Sequence, residues 1–248
     1  MNALTIVIIV IIIVLVYFLL KFIFSNPYTL QSIQNGQTTT VIAATALATN
    51  SASSAQDTNF AYSIWFYIND WNYRYGQIKT IFARMGNAPA GKNPCPAVQF
   101  DAIENNVTVT LACFPGSGGA APAAGAMAAT SVDHTCTVGN VPIQRWVNLI
   151  VSVYGRSMDI YIDGKLVKTC LLPGVANINS NASIYVTPDG GFDGWTSKFQ
   201  YYPSPLNPQE AWNIYAAGYS APYANMFSSY QVQVSLLENG NTKSTVTV

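Results

Sequence analysis

Trp146-Val-Asn-Leu-Ile-Val-Ser-Val-Tyr154, then Met158-Asp-Ile-Tyr-Ile162, then Asp163-Gly-Lys-Leu-Val167 form one almost continuous stretch of the chain. Val147, Leu149, Val151 and Val153 alternate with Asn148, Ile150, Ser152 and Tyr154. Met158, Ile160 and Ile162 alternate with Asp159 and Tyr161. A period of two is the signature of a strand. Asp163-Gly164 supplies the two-residue turn of a tight hairpin, because both positions need positive φ. Lys165–Cys170 then returns as the partner strand.

More strands flank this unit. In Phe60–Ile68, Tyr62, Ile64, Phe66 and Ile68 share one face and Ser63, Trp65 and Tyr67 the other. Both faces are bulky, which predicts burial on both sides. Ala97–Ile103 and Val107–Cys113 read as a second hairpin around Glu104-Asn105-Asn106, and Ser183–Thr187 and Trp195–Tyr202 as later strands. Phe114–Ala129 is a Gly/Ala/Pro loop. One helix is expected after Asn207: Asn207 caps it, Pro208 fits the first turn, Glu210 completes a capping box, and Gly218 ends it. Tyr230, Val232, Val234 and Leu236 then alternate as a late strand able to pair with its own sheet or a neighbour's edge. Short strands, frequent turns and one helix indicate an all-β, two-sheet antiparallel sandwich with a short C-terminal helix.

Composition narrows the function. The 248 residues carry 11 Lys plus Arg and 11 Asp plus Glu, so the net charge is zero. Only 9% are charged and 50% are hydrophobic. A nucleic-acid partner is not expected, because no basic excess exists to neutralise phosphates. Disorder throughout is excluded by the hydrophobic fraction.

Leu4–Leu20 contains no charge, and Lys21 is followed by Phe22, Ile23 and Phe24. At about 1.5 Å per residue this run makes a helix of roughly 31 Å, the thickness of a bilayer core. It is apolar on every face. Met1-Asn2-Ala3 brings no positive side chain, and Ser25-Asn26-Pro27-Tyr28 lacks a small-x-small cleavage pattern. The expectation is a retained single transmembrane anchor over 1–25, a stalk over 26–58 with one strand around Thr39–Ile42, the sandwich over 59–219, and a 220–248 tail with one strand.

Five motifs in order carry a resemblance: Ser63-Ile-Trp-Phe-Tyr67, Ile143-Gln-Arg-Trp-Val-Asn-Leu149, Asp159-Ile-Tyr-Ile-Asp-Gly-Lys-Leu-Val167, Phe192-Asp-Gly-Trp195 with Phe199 and Tyr201, and the Pro-Gln-Glu helix at 208–210. Over roughly 58–219 the chain resembles the concanavalin A-like lectin/glucanase superfamily in its laminin G-like branch. The resemblance implies a jelly roll. Asp70-Trp-Asn-Tyr-Arg-Tyr75, Thr169-Cys-Leu-Leu-Pro-Gly174 and Leu206–Tyr215 behind an N-terminal anchor resemble the membrane-anchored versions encoded by large nucleocytoplasmic DNA viruses. That implies a virion protein set between an internal lipid bilayer and an icosahedral capsid, with capsid or other structural proteins as partners.

Catalysis is not expected. Glucanases on this fold need paired carboxylates about 5–5.5 Å apart for retention, on a Glu-x-Asp-x-x-Glu strand that this chain lacks. Outside the helix cap the glutamates are Glu104 and Glu238. His134 is the single histidine and reads as a loop residue near a disulfide. Relatives with a rim Ca²⁺ use Asp and Asn oxygens, so Asp189 and Asp193 in Asp189-Gly-Gly-Phe-Asp193 are metal candidates, although two carboxylates fall short of the six to eight oxygens that Ca²⁺ takes. The solvated Gly-rich turn is therefore the favoured reading, with no cofactor. Cys95, Cys113, Cys136 and Cys170 allow three pairings. Cys95–Cys113 at the open end of one hairpin and Cys136–Cys170 around the Asp-Gly hairpin are expected. Asn106-Val-Thr and Asn181-Ala-Ser are glycosylation sequons. Trp71, Tyr73 and Tyr75 in the polar loop Asn69–Gly76 are the candidate interface or ligand residues. The expected function is a structural virion protein, with a membrane-anchored carbohydrate-binding module as the alternative.

Overall fold

The computed structural model describes residues 28–49, 58–85, 93–115, 131–179 and 181–220, the helical residues 11, 12, 14, 15 and 17–19, residue 26, and the backbone of 233–238 and 241–247. The chain divides into two units, Tyr28–Ala221 and a second made of Met1–Pro27 with Pro222–Val248.

The first unit is the sandwich. Its elements are β1 (Thr29–Gln31), β2 (Gln34–Asn35), β3 (Thr40–Ile42), α1 (Ala44–Thr49), β4 (Phe60–Asp70), β5 (Lys79–Arg84), β6 (Ala97–Phe100), β7 (Val107–Cys113), β8 (Val132–Val138), β9 (Trp146–Tyr154), β10 (Ser157–Ile162), β11 (Lys165–Leu171), β12 (Ile184–Val186), β13 (Asp193–Tyr202) and α2 (Pro208–Ala216). A seven-stranded sheet runs β1-β13-β4-β9-β10-β11, with β2 also on β13. A six-stranded sheet runs β3-β12-β5-β6-β7-β8. Every pairing is antiparallel.

The alternation decides what lies between the sheets. Tyr62, Ile64 and Phe66 of β4, Val147, Leu149 and Val151 of β9, and Val107, Val109 and Leu111 of β7 point into one core. Rings lock it: Tyr62 stacks on Phe199 with centroids 5.9 Å apart, and Phe66 meets Phe100 edge-on at 5.1 Å. The other face of the seven-stranded sheet is covered at one end by α2. There Ala61, Ile150, Tyr161 and Tyr202 pack with Leu206 and Ala211. The helix starts as its sequence dictates: Asn207 accepts from the Glu210 amide, and the Glu210 carboxylate accepts from the Asn207 amide. The Asp163-Gly164 turn has φ of 50° and 71°. Its glycine lies so close to α2 that a Cβ would stand 3.0 Å from the Tyr215 Cβ.

Three expectations are corrected. Residues 28–49 of the segment read as a stalk belong to the sandwich: β1 and β2 extend β13, and β3, near the one strand expected there, extends β12. Its small polar residues carry little periodicity, and its strands form because a long-range edge accepts them. Among its described residues the tail holds two strands where one was expected: β14 (Gln233–Glu238) pairs with β15 (Asn241–Thr247) as an antiparallel hairpin. The intervening Asn239-Gly240 is itself a two-residue hairpin signal. Third, Cys136–Cys170 is a disulfide joining β8 to β11, hence sheet to sheet, whereas Cys95 and Cys113 are buried free thiols. Past the β6–β7 pairing, which ends at Ala97 opposite Thr110, the Ala112 amide donates to the Pro94 carbonyl, so Cys95 is not set opposite Cys113. Burial pushes the Cys95 thiol up to about 12 and the Cys113 thiol up to about 11.

Much of the apolar run over 4–24 and of the loop over 114–129 lies outside the described residues. The described residues between 11 and 19 are helical and exposed. Among the described residues no helix is long and apolar enough to cross a membrane.

Two outcomes follow from this architecture. Thiol labelling of the denatured, unreduced chain will modify Cys95 and Cys113 alone, and reduction will expose Cys136 and Cys170 at a stability loss of about 3–4 kcal/mol; four labelled thiols without reductant would remove the bridge. In Gly194→Ala the new Cβ would collide with the Tyr67 carbonyl oxygen. Chemical denaturation should show a loss of more than about 2 kcal/mol.

Candidate functional site

At one end of the sandwich the loop after β4 is stapled down. The Trp71 Nε1 donates to the Ile103 carbonyl at 2.9 Å, and its ring meets Phe100 edge-on at 5.8 Å. The Tyr73 hydroxyl donates to the Gly190 carbonyl at 3.1 Å. Arg74 donates to the carbonyls of Asp189 and Gly191. Of the three aromatic candidates only Tyr75, 59% exposed, offers a free ring. Trp71 instead lines an open groove of about 840 Å³ with Ile103, Glu104, Asn105, Asn106 and Asn140. The groove's polar groups bind one another: Asn106 donates to Glu104 at 2.7 Å and accepts from the Asn140 amide at 3.1 Å, and Asn105 donates to the Val141 carbonyl at 2.9 Å. The Asn106 sequon is thus tied into this network, while Asn181 is exposed beside Asn179.

Beneath Trp71 lies Lys79, 1% exposed. Its Nζ sits 4.4 Å from the Trp71 ring centroid with no hydrogen-bond partner. Loss of water lowers its pKa first, Arg74 lowers it further, and Asp101 opposes both. A cation–π contact partly replaces the missing water.

The two metal candidates are not assembled into a ligand set. Asp189 sits at φ 56° in the Pro188–Gly190 turn, where its carbonyl serves Arg74. The Asp193 carboxylate accepts from the Gln37 Nε2 at 3.0 Å and from the Asn69 Nδ2 at 2.8 Å. Among the described residues no group of three or more His, Cys, Asp or Glu is gathered to hold a metal. His134 lies on β8 opposite Leu111, two residues from the bridged Cys136, so it is a strand residue and not a loop one.

A second surface was not singled out by sequence reasoning. On the outer face of the seven-stranded sheet, beyond the part that α2 covers, register brings Trp195, Tyr67 and Trp146 into one row: Trp195 opposes Tyr67, and Tyr67 opposes Trp146. Tyr67 and Trp146 have centroids 5.8 Å apart at 56°. Tyr219 stacks on Trp146 at 4.5 Å and 10°. Trp195 is 45% exposed. The fully two-sided burial expected of Phe60–Ile68 therefore stops at Tyr67: Trp65 is buried against Tyr215, 5.6 Å away, and Tyr67 is half-buried. The alternation of Trp65 and Tyr67 was the available signal. Joining it to Trp146 and Trp195 needs the pairing of strands far apart in the chain.

The Laminin_G_3 family, described as the concanavalin A-like lectin/glucanases superfamily, matches residues 39–211. No curated protein matches the chain. Among solved structures, the receptor binding domain of botulinum neurotoxin C/D mosaic serotype superposes with a TM-score of 0.52 at 14% identity, covering 75% of this chain and 42% of that one. The binding domain of botulinum neurotoxin serotype D/C gives 0.50 at 15%, over 72% and 40%. A structure of botulinum neurotoxin type C, described as depending on interaction with two ganglioside molecules for cell entry, gives 0.50 at 17%, over 72% and 39%. The match spans about two fifths of those chains. At such identities the likeness is one of fold.

Lys79 generates a pH prediction. Its folded pKa lies below its unfolded value, so the unfolded chain holds that proton more tightly, and this group makes stability rise as pH climbs toward the unfolded value. Replacing it by Met removes the rise. The stability difference, Lys79→Met minus wild type, should therefore be largest near neutrality and shrink toward pH 10, as read by urea denaturation across that range.

Proposed function

The chain belongs to the concanavalin A-like lectin/glucanase superfamily, and from that premise we propose that it is a non-enzymatic structural protein of a virion, tying an internal bilayer to a capsid shell through its sandwich. In this reading it is the membrane-anchored form encoded by a large nucleocytoplasmic DNA virus, and its N-terminal apolar run is the anchor. The observation that carries the reading is the aromatic row Trp195–Tyr67–Trp146 on the outer face of the sheet, where Trp195 is exposed, Tyr67 half-buried and Trp146 half-covered by Tyr219. Solvent-facing aromatic rows on a nearly uncharged protein suit contact with another macromolecule. The glutamates support a non-catalytic reading: Glu210 is used by the helix cap and Glu104 by Asn106.

A second reading, a membrane-anchored carbohydrate-binding module, is favoured by one specific observation. The hydrogen-bonding cluster Gln37–Asp193–Asn69 lies beside the aromatic row. The type C neurotoxin, similar in fold, is described as interacting with gangliosides.

Cross-linking mass spectrometry on native particles or membranes tests the first reading. Links from the exposed Lys165 and Lys168 of β11 to a shell protein are expected, together with retention of the chain in the membrane pellet after alkaline carbonate. A chain without protein links, released by carbonate and open to protease, overturns the scaffold.

A further inference from the structure

We propose that the Trp195–Tyr67 pair and the Gln37–Asp193–Asn69 cluster form one binding site for a neutral, hydroxyl-rich sugar ring. The proposal rests on the second reading above and supplies it with a location and a ligand class.

The placement comes from the register. Tyr67 and Asn69 are two residues apart on β4, and the bulge against β13, where Ile68 pairs with Gly194 and Asp70 with Asp193, leaves Asn69 exposed. The Asn69 Nδ2 reaches the Asp193 carboxylate at 2.8 Å, so the two side chains meet at that bulge. Tyr67 is directly opposite Trp195. The polar cluster therefore lies one pleat step, about 7 Å, along the strands from the aromatic pair. Gly194 between Asp193 and Trp195 sits at the register shift that allows this arrangement.

The chemistry on each side is that of sugar recognition. A pyranose has an apolar C–H face, which stacks on an indole or phenol, and a rim of hydroxyls. Trp195 presents an exposed ring for the first. For the second, Asp193 is held by two amides, Gln37 at 3.0 Å and Asn69 at 2.8 Å. Each of its oxygens has another lone-pair direction to accept a ligand hydroxyl. Gln37 and Asn69 are exposed and keep their amide oxygens for further hydroxyls.

Charge decides between ligand classes. The cations around the site are engaged: Arg145 pairs with Asp163, Arg74 donates to the carbonyls of Asp189 and Gly191, and the Lys198 Nζ donates to the carbonyls of Ala217 and Gly218 at 3.1 and 2.6 Å. Among the described residues the cluster thus offers a carboxylate and no adjacent unengaged cation. That complements a ligand which donates hydrogen bonds and carries no negative charge. An acidic sugar would be repelled by Asp193. Geometry also sets the size. Tyr67 and Trp146 are tilted by 56°, so the row is a shallow angle and not a flat shelf. Strands about 4.8 Å apart make the three-ring row about 10 Å wide, the span of one or two sugar rings.

The test is titration of the full chain in lipid nanodiscs, followed by tryptophan fluorescence and saturation-transfer NMR. The probes are cellotriose, triacetylchitotriose, mannotriose and lactose, with 3′-sialyllactose as the acidic counterpart of lactose. At least one neutral probe should bind, with Trp195→Ala and Asp193→Ala each weakening it by at least about tenfold. Trp195→Phe should retain part of the affinity, and circular dichroism of every variant should match wild type, since these side chains are outside the core. Binding of a neutral sugar that neither substitution weakens overturns this site while the carbohydrate reading stands. Tighter binding of 3′-sialyllactose than of lactose overturns the ligand class. No binding of any probe at millimolar concentration overturns the site and the carbohydrate reading together.

Discussion

The pairing of β4 with β9 runs unbroken from Phe60 opposite Val153 to Tyr67 opposite Trp146. A slip of one residue would exchange every inward side chain for an outward one. That exchange would be expensive, since Tyr62, Ile64 and Phe66 fill the core while Ser63 and Trp65 serve the opposite face. Ser63 reports the same register in polar terms. Its hydroxyl accepts from the Asn148 side chain at 3.1 Å within the sheet, both residues fully buried. The aromatic row, the seat of α2 and the Gln37–Asp193–Asn69 cluster are all downstream of this alignment.

Charge inside the fold is handled by local partners. Arg84 is buried, yet its Nε donates to the Ala182 carbonyl at 3.3 Å and its Nη1 to the Tyr62 hydroxyl at 3.5 Å. Burial pushes the Tyr62 phenol well above its ordinary value, and Arg84 opposes the shift. Lys79 lacks such partners and uses a ring. With 9% charged residues in the chain, these few cations are spent on holding loops and crossing strands. Arg74 ties the β4 loop to the Pro188–Gly190 turn, and Lys198 closes the end of α2.

The sequence disclosed those parts of the fold in which local pattern and global pairing agree. Val107–Cys113, the strands around Asp163-Gly164 and the helix behind Asn207 all carry their own period, turn or cap, and each stands where its pattern puts it. β3 stands where one strand around Thr39–Ile42 was expected, but β1 and β2 carry no such signal, and the pairing of all three could not be read. They are two or three residues long and exist because β13 and β12 offer them an edge. β5 and β8 were also missed. Val132–Val138 interleaves Asp, His, Thr and Cys, which reads as loop until β7 supplies its hydrogen bonds. The site was less legible than the fold. Trp65 and Tyr67 could be put on one face from alternation alone, but their meeting with Trp146 and Trp195 is a property of register between distant segments. Trp71 and Tyr73 looked like surface aromatics because their loop is polar, whereas carbonyls at Ile103 and Gly190 draw them in.

The two lateral margins of the sandwich are built differently. At one, β8 and β11 are covalently joined by Cys136–Cys170. At the other, β1 is attached to β13 through Thr29 and Gln31, and β3 to β12 through Thr40–Ile42. The chain enters the domain from its N-terminal side at this second margin. Mechanical tension transmitted from that side would therefore peel β1 and then β2 from β13 while the bridged margin stayed shut. The segment from residue 28 to 42 would act as a tear strip, releasing tens of ångströms of extended chain at about 3.4 Å per residue before the core bears load.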